Sequence, residues 1–213
     1  MKIKDIMTWN VVTVTSDTPI MEARKILETH KIRRVPVVDR GKLVGLVTLD
    51  RIIGVGPSQA TSLSIWEINY LLAKMKVGEI MQKDVVTIEP DASIEQGLSR
   101  GFNKKVGIMP VVENGKVIGV VTTTDFMLKV LNVSLGVGLH GIRLNIANAS
   151  QAKDIREVME IVEKSGLKVI AAHTMPPAED SPMGFSLQLD TDDVKDLMKQ
   201  IEAKGHKVVI VPK

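Results

Sequence analysis

The chain has 213 residues, 44% of them hydrophobic, 25% charged and only 3% aromatic, with a formal net charge of +3. That balance belongs to a folded globular chain with aliphatic cores and excludes a disordered one. The absence of cysteine excludes disulfides, thiolate metal sites and a cysteine nucleophile.

No apolar run approaches the roughly 20 residues that cross a bilayer. The opening Met1-Lys2-Ile3-Lys4-Asp5 reaches charge at once and lacks the apolar stretch of a signal peptide. A cytoplasmic location and no membrane partner are therefore expected. Residues 137–213 hold 10 Lys/Arg against 11 Asp/Glu, which leaves 18 against 14 for residues 1–136. The weak positive bias of the first part suits a small anionic ligand. It is far from the clustered basic stripe of a nucleic-acid binder, so no nucleic acid is expected.

An offset of 74 residues lays positions 2–49 on 76–123 without a gap, with 17 identities in 48 positions. Asp5-Ile6-Met7 falls on Glu79-Ile80-Met81, Asp17 on Asp91, and Pro36-Val37-Val38 on Pro110-Val111-Val112. Gly41-Lys42, Gly45 and Thr48 fall on Gly115-Lys116, Gly119 and Thr122. The first 135 residues are thus a duplicated unit. In chain order, each copy reads as an edge or opening strand (residues 11–14 in the first), then a helix. Asp17 and Asp91 stand at expected N-caps, and Pro19 suits the first turn. In the first copy Ile20, Ala23, Ile26 and Leu27 form one apolar face at helical spacing. Two β-branched runs around a Gly41-Lys42 or Gly115-Lys116 turn predict a hairpin. A closing helix is expected from near Asp50 and Asp125. Ser64-Ile65-Trp66-Glu67 has capping-box spacing, so Ser64 starts a connecting helix with Ile65, Ile68, Leu71, Leu72 and Met75 as its apolar residues. In the second copy Gly97, Arg100 and Gly101 replace Ala23, Ile26 and Leu27. Either they permit close backbone approach, or Leu98 and Phe102 take over the packing of a loosened helix.

From about residue 139 the pattern changes. Strands are expected at 140–146, 167–174, 184–189 and 206–211, helices at 151–164 and 192–203, and a proline-rich loop at 175–182. The order β-α-β-β-α-β is the ferredoxin-like pattern. Gly166 and Gly205 are expected to close the two helices in the left-handed conformation.

The repeated Asp-Ile-Met and Glu-Ile-Met openings, the run His30-Lys31-Ile32-Arg33-Arg34-Val35-Pro36-Val37-Val38, and Gly-x-x-Thr followed by Asp resemble the tandem cystathionine-β-synthase (CBS) domain pair. The resemblance covers residues 1–135: a first repeat at 1–57, a connecting helix at 58–75 and a second repeat at 76–135. It implies an α+β fold of two β-α-β-β-α units about a pseudo-twofold axis, with two clefts that commonly hold adenine nucleotides. In such pairs the Thr and Asp of Gly-x-x-Thr-x-x-Asp contact phosphate and ribose. A carboxylate can accept from both ribose hydroxyls and a threonine hydroxyl can donate to phosphate. Gly119, Thr122 and Asp125 carry that pattern, with Thr123 and Thr124 between. The resemblance then implies a base near Val86, Thr87, Ile88, Met109, Pro110 and Val111, and a phosphate near Lys104, Lys105 or Arg100. A second, weaker cleft would use Thr48, Asp50, Arg51 and Pro36, where Arg51 stands at the usual aspartate position. The alternative for Asp125 is a helix cap.

The stretch at 139–213 resembles an ACT domain, a small-molecule sensor of amino-acid enzymes, and Asn148, Ala149, Ser150 and Gln151 occupy its effector loop. That loop lacks the glycine of the amino-acid-binding members, and a helix N-cap at Asn148 or Ser150 also explains it. A CBS pair followed by an ACT-like domain resembles the bacterial acetoin-utilisation accessory proteins.

Gly136-Val137-Gly138-Leu139-His140-Gly141 spells a dinucleotide fingerprint, but a helix precedes it and a strand follows, which makes it a linker. Ser150-x-x-Lys153 and Ser165-x-x-Lys168 lack companion motifs. Asp190, Asp192 and Asp193 suit a helix start, and His30, His140, His173 and His206 have no paired ligand spacing. No catalytic residue, metal site or required cofactor is expected. The expected function is a non-enzymatic regulator that senses an adenine nucleotide and acts on an unidentified partner protein. A homodimer is the default assembly. The alternatives are a dimerising scaffold without a ligand and an amino-acid sensor.

Overall fold

The computed structural model describes residues 1–55, 64–175 and 184–212. The chain forms two compact units, Met1–Phe126 and Met127–Lys213.

The first unit runs α1 (Ile3–Ile6), β1 (Thr8–Trp9), α2 (Ile20–Thr29), β2 (Arg34–Asp39), β3 (Lys42–Thr48), α3 (Leu49–Gly54), α4 (Ile65–Lys74), α5 (Val77–Ile80), α6 (Ile94–Lys104), β4 (Ile108–Glu113), β5 (Lys116–Thr122) and α7 (Thr123–Asp125). Both predicted hairpins are present, β2 on β3 and β4 on β5. Their two-residue turns, Arg40-Gly41 and Asn114-Gly115, have positive φ at both positions, the geometry that matches strand twist. Ile20, Ala23 and Leu27 are fully buried, with Ile26 packed beside them.

The two copies lock by exchanging equivalent contacts. Met7 of the first copy packs against Gly119 of the second, and Met81 of the second against Gly45 of the first; a Cβ on either glycine would fall within 3 Å of methionine sulfur. Strand β1 of the first copy pairs with β5 of the second, while Leu46 and Gln82 bridge in the other direction. Lys2 binds Asp91 at 2.8 Å, and Lys76 binds Asp17 at 2.7 Å. These are the same pairs at the 74-residue offset, as a pseudo-twofold arrangement requires.

This exchange corrects the predicted caps. Asp17 and Asp91 are ion-pair partners across the repeats. Pro19 stands at the N-cap of α2 without a side-chain cap, and Ser93 caps α6 in a box with Gln96. The stretch at 11–14 is not a strand either: Val14 makes one parallel bridge to Val37, as Ile88 does to Val111. Ser64 caps α4 through Glu67 as predicted. Leu72 and Met75 pack on the core, Leu71 is exposed, and the side chains of Ile65 and Ile68 lie outside the described residues. In α6, Leu98 and Phe102 are 49% and 84% exposed and do not take over the packing. Gly97 is there for close approach: a Cβ would stand 2.8 Å from Phe126 Cζ and 2.7 Å from Ile3 Cδ1. The closing helix of the second copy is a short α-turn continued by a π-helical turn, Phe126–Leu131.

The second unit contains α8 (Asn132–Leu135), β6 (Ile142–Ala147), α9 (Ala152–Lys164), β7 (Val169–Met175), β8 (Gly184–Leu189), α10 (Lys195–Glu202) and β9 (Lys207–Val211). Its sheet order is β7-β8-β6-β9, all antiparallel, the split-βαβ connectivity. Val158, Ile161 and Val162 of α9 and Leu197 and Ile201 of α10 pack on Leu144, Ile146, Leu187 and Leu189. Gly166 and Gly205 take φ of +67° and +90° after their helices. The predicted proline-rich loop lies almost wholly outside the described residues.

Candidate functional site

Thr122 ends β5 and begins α7. Its N–H and Oγ1–H donate to Asp125 Oδ2 at 2.9 and 2.7 Å, and its Oγ1 accepts from Asp125 N–H at 3.3 Å. This closed capping box fixes the Asp125 carboxylate in a buried position. The capping role that the sequence offered as an alternative for Asp125 is therefore present, as the N3 partner of the Thr122 N-cap, and the same residue lines an adjoining cavity.

That cavity measures about 620 Å³, within the range of small-molecule sites. Thr122, Thr123, Thr124 and Asp125 line one wall. The opposing wall comes from the first copy: Asn10, Val11 and Val12 after β1, then His30, Ile32, Arg33, Arg34 and Pro36. Arg34 Nη1 lies 3.4 Å from the point where a Cβ on Gly107 would stand, and Thr123 Oγ1 lies 3.6 Å from it. Arg34 has no ion pair among the described residues. Arg33 is held by Asp50 at 2.7 Å. The cavity therefore joins a buried carboxylate, four threonines (Thr8, Thr122, Thr123 and Thr124) and an uncompensated guanidinium, together with apolar Val11, Val12 and Ile32. A polar ligand with an apolar ring and an anionic group matches that inventory.

Several predicted residues fall elsewhere. Ile88, Met109 and Val111 are buried in the core, Pro110 is also buried, and none of them, nor Val86 or Thr87, lines this cavity. The reason is the exchange: the wall facing Asp125 is supplied by the other copy, at Val11, Val12 and Pro36. Pro36, assigned from sequence to the second cleft, belongs to this one. Arg100 folds back onto Thr87 O at 2.7 Å and Glu89 at 3.1 Å. Lys104 is exposed and outside the cavity, and Lys105 lines a separate apolar pocket beside α6. In the second cleft Thr48 caps α3, Asp50 holds Arg33, and Arg51 donates to Ile80 O at 2.8 Å.

In the second unit, Gln151 is the N-cap of α9 and Asp154 closes its box. Asn148 takes a left-handed φ of +64°, while Ala149 is fully buried in the core. Ala149 is therefore a packing residue, and the N-cap falls at neither Asn148 nor Ser150. No cluster of metal ligands occurs among the described residues, and none of their helices is long and apolar enough to cross a membrane.

Sequence reasoning missed Arg33 and Arg34 as cavity residues. A signal was present: at the 74-residue offset they correspond to Gly107 and Ile108, so the two copies differ there by two cations.

Residues 3–57 and 77–132 match the CBS domain, together more than half of the chain. The chain belongs to the CBS domain family as a tandem pair. Among solved structures it is similar to a protein assigned to acetoin utilization (AcuB) from Vibrio cholerae, with 26% identity and a TM-score of 0.52 over 62% of this chain and 91% of that one. It is 33% identical over 127 residues to L-aspartate semialdehyde sulfurtransferase of Methanocaldococcus jannaschii, covering 58% of this chain and 22% of that protein. It is 27% identical over 141 residues to CBS domain-containing protein YhcV of Bacillus subtilis, covering 66% and 94%. The chain spans only 22% to 42% of the length of the larger archaeal relatives it matches.

Proposed function

We propose that the chain is a regulatory protein that senses a phosphorylated adenosine ligand such as AMP, ADP or ATP in the cavity between its two CBS copies. The reading rests on the convergence of Asp125, held by its capping box, and the uncompensated Arg34 on one cavity of nucleotide size. Asp125 accepts from the ribose hydroxyls, the apolar residues flank the base, and Arg34 with Thr123 takes the phosphate. Because the two walls come from different copies, a ligand touching both alters the balance between arrangements of the repeats; a coupling of about 1–3 kcal/mol is enough for regulation. The C-terminal unit, read as an ACT-like domain, or a partner protein receives the change. No step of this role requires a catalytic group. The similarity to a protein assigned to acetoin utilization supports a place in carbon metabolism, and the working assembly is a homodimer.

The test is calorimetry on the full chain with AMP, ADP, ATP and adenosine, repeated on Asp125→Asn. Saturable nucleotide binding that weakens in the variant supports the reading. The absence of heat and of any thermal shift at millimolar nucleotide overturns it in favour of a dimerising scaffold, the reading favoured by the 84% exposure of Phe102 on α6.

A further inference from the structure

The two CBS copies share a fold but differ along one helix, and the difference opens a cleft in the second. At the 74-residue offset Leu27 of α2 becomes Gly101 of α6, and Arg24 and Glu28 become Leu98 and Phe102. Leu27 is fully buried in the core of its copy, and Arg24 binds Glu28 at 2.7 Å on the exposed side of the same helix. In α6 the core position has lost its side chain, and two large apolar side chains stand exposed in place of the ion pair. Neither change favours the fold by itself. Truncating a buried leucine leaves a cavity, and glycine is a poor helix former.

Gly101 differs from Gly97 in what its surroundings demand. A Cβ at Gly97 would collide with Ile3 and Phe126, so glycine is required there. A Cβ at Gly101 would stand 3.5 Å from Val106 O and 3.7 Å from Met109 Cε, which are ordinary contact distances. Packing among the described residues therefore does not demand glycine at 101. Its effect is to leave space: a cavity of about 510 Å³ opens beside α6, within the range of small-molecule sites. The buried side chains of Met109, Val121 and Phe126 form its floor, and exposed Leu98 and Phe102 stand at its rim.

One charge faces this apolar cleft. Lys105, the only ionisable residue lining it, ends α6 in the left-handed conformation with φ of +53°. It has no ion pair among the described residues. Two phenylalanine rings and a methionine thioether favour an aromatic guest, and an unpaired ammonium favours an anionic one.

We propose that the cleft binds a small aromatic acid, its ring against Met109, Phe102 and Phe126 and its carboxylate on Lys105. The site is distinct from the cavity between the CBS copies and stands independently of any ligand there. The two are nevertheless back to back: Gly107 and Thr123 line both, and Thr123 N–H donates to Gly107 O at 3.2 Å.

The experiment is calorimetry and methyl NMR on the full chain with phenylacetate, phenethylamine and acetate as probes. Phenylacetate is expected to bind about fivefold more tightly than the amine, the worth of one exposed charge pair, and acetate should not bind measurably. In protein labelled at its methionine methyls, the Met109 signal, assigned by its loss in Met109→Leu, should shift on titration with phenylacetate. Neither Met109 nor Gly101 lines the cavity between the copies, so both readouts distinguish this site from that one. Gly101→Leu installs the residue of the first copy. It should weaken phenylacetate binding at least about tenfold and leave the ligand-free melting temperature unchanged or higher. Lys105→Glu should reverse the preference between acid and amine. The proposal is overturned if neither aromatic probe binds at millimolar levels, if acid and amine bind equally, if the Met109 signal stays still while phenylacetate binds, if binding survives Gly101→Leu, or if Lys105→Glu keeps the preference for the acid. Dissociation of a dimer by Phe102→Glu, with no probe bound by the wild type, would make the cleft a face between copies of the chain. The wild-type methyl signal keeps the test decisive should Gly101→Leu fold poorly.

Discussion

Arg34, from the first CBS copy, lays its guanidinium over Gly107 of the second, 3.4 Å from where a side chain on that residue would begin and beside Thr123. The contact crosses between the copies at the cavity wall, where no carboxylate among the described residues neutralises it. A charge-assisted contact to phosphate is worth more than a neutral one. Replacing Arg34 by Met keeps much of the aliphatic stem and removes the charge. The expected outcome is a loss of about tenfold or more in AMP affinity, roughly 1.4 kcal/mol, with adenosine affinity little changed. Calorimetry with the two ligands gives the ratio. An equal loss for both would place the phosphate elsewhere.

Asp125 closes a capping box and, on the proposed reading, binds the ribose, and substitutions can separate the two. Its Oδ2 accepts from the Thr122 N–H and hydroxyl, closing the first turn of α7. Asp125→Ala removes that box and should cost about 1 kcal/mol of stability, the ordinary worth of a cap. Asp125→Asn leaves a carbonyl oxygen to accept from Thr122 but removes the charge. It should unfold in urea close to wild type while binding nucleotide more weakly. A denaturation curve and a binding isotherm on each variant separate the two roles, and unimpaired binding by Asp125→Asn would remove the carboxylate from the site.

Much of the fold was legible because its signals are local. The 74-residue offset exposed the duplication, and Asn114-Gly115 between β-branched runs supplied the positive φ that a two-residue hairpin needs. The candidate cavity was only half legible. Thr122 and Asp125, whose motif is contiguous, do line it, but the rest of its wall was sought in the same copy. The pseudo-twofold exchange puts Val11, Arg34 and Pro36 there, and that relation is non-local. Asp17 and Asp91 failed as caps for the same reason: a carboxylate just before a helix satisfies a local rule, yet Lys76 and Lys2 of the opposite copies claim them. Arg100 could not be placed by composition, since only the structure shows its guanidinium spent on Thr87 O.

Those exchanged ion pairs predict an acid limb. Hydrogen bonds from Lys2 and then Lys4 hold the Asp91 carboxyl at about 2, well below its ordinary 3.8. Its folded value is depressed, so the unfolded chain binds the proton more readily. The contribution to stability is therefore full above about pH 4 and lost as the pH falls toward about 2. Asp91→Asn should be less stable than wild type at pH 7, with the difference closing across that window. Urea unfolding at pH 7, 4 and about 2.5 tests it, and a gap that stays constant with pH would contradict the assignment.

The contact that binds the copies most tightly in steric terms is the glycine–methionine exchange. A Cβ at Gly119 would stand 2.9 Å from Thr8 O and 2.8 Å from Met7 Sδ; at Gly45 it would stand 3.0 Å from Gln82 O and 2.5 Å from Met81 Sδ. Methionine is flexible and can move aside, but the carbonyl oxygens belong to the backbone pairings of β1 with β5 and of Leu46 with Gln82. The added methyl must therefore push apart the same ladder that joins the copies. Gly119→Ala and Gly45→Ala are each expected to cost about 1–3 kcal/mol, the range for overpacking a fitted contact. By contrast, Gly54→Ala meets open space within a helix and should be neutral or slightly stabilising. Because the sites lie on opposite seams of one pseudo-twofold interface, the double variant should lose less than the sum of the singles if the first substitution already loosens the second seam. Denaturation of the three alanine variants and the double variant measures this. Strict additivity would mean that the seams yield independently, and a ligand bridging one of them would then leave the other cleft unaffected.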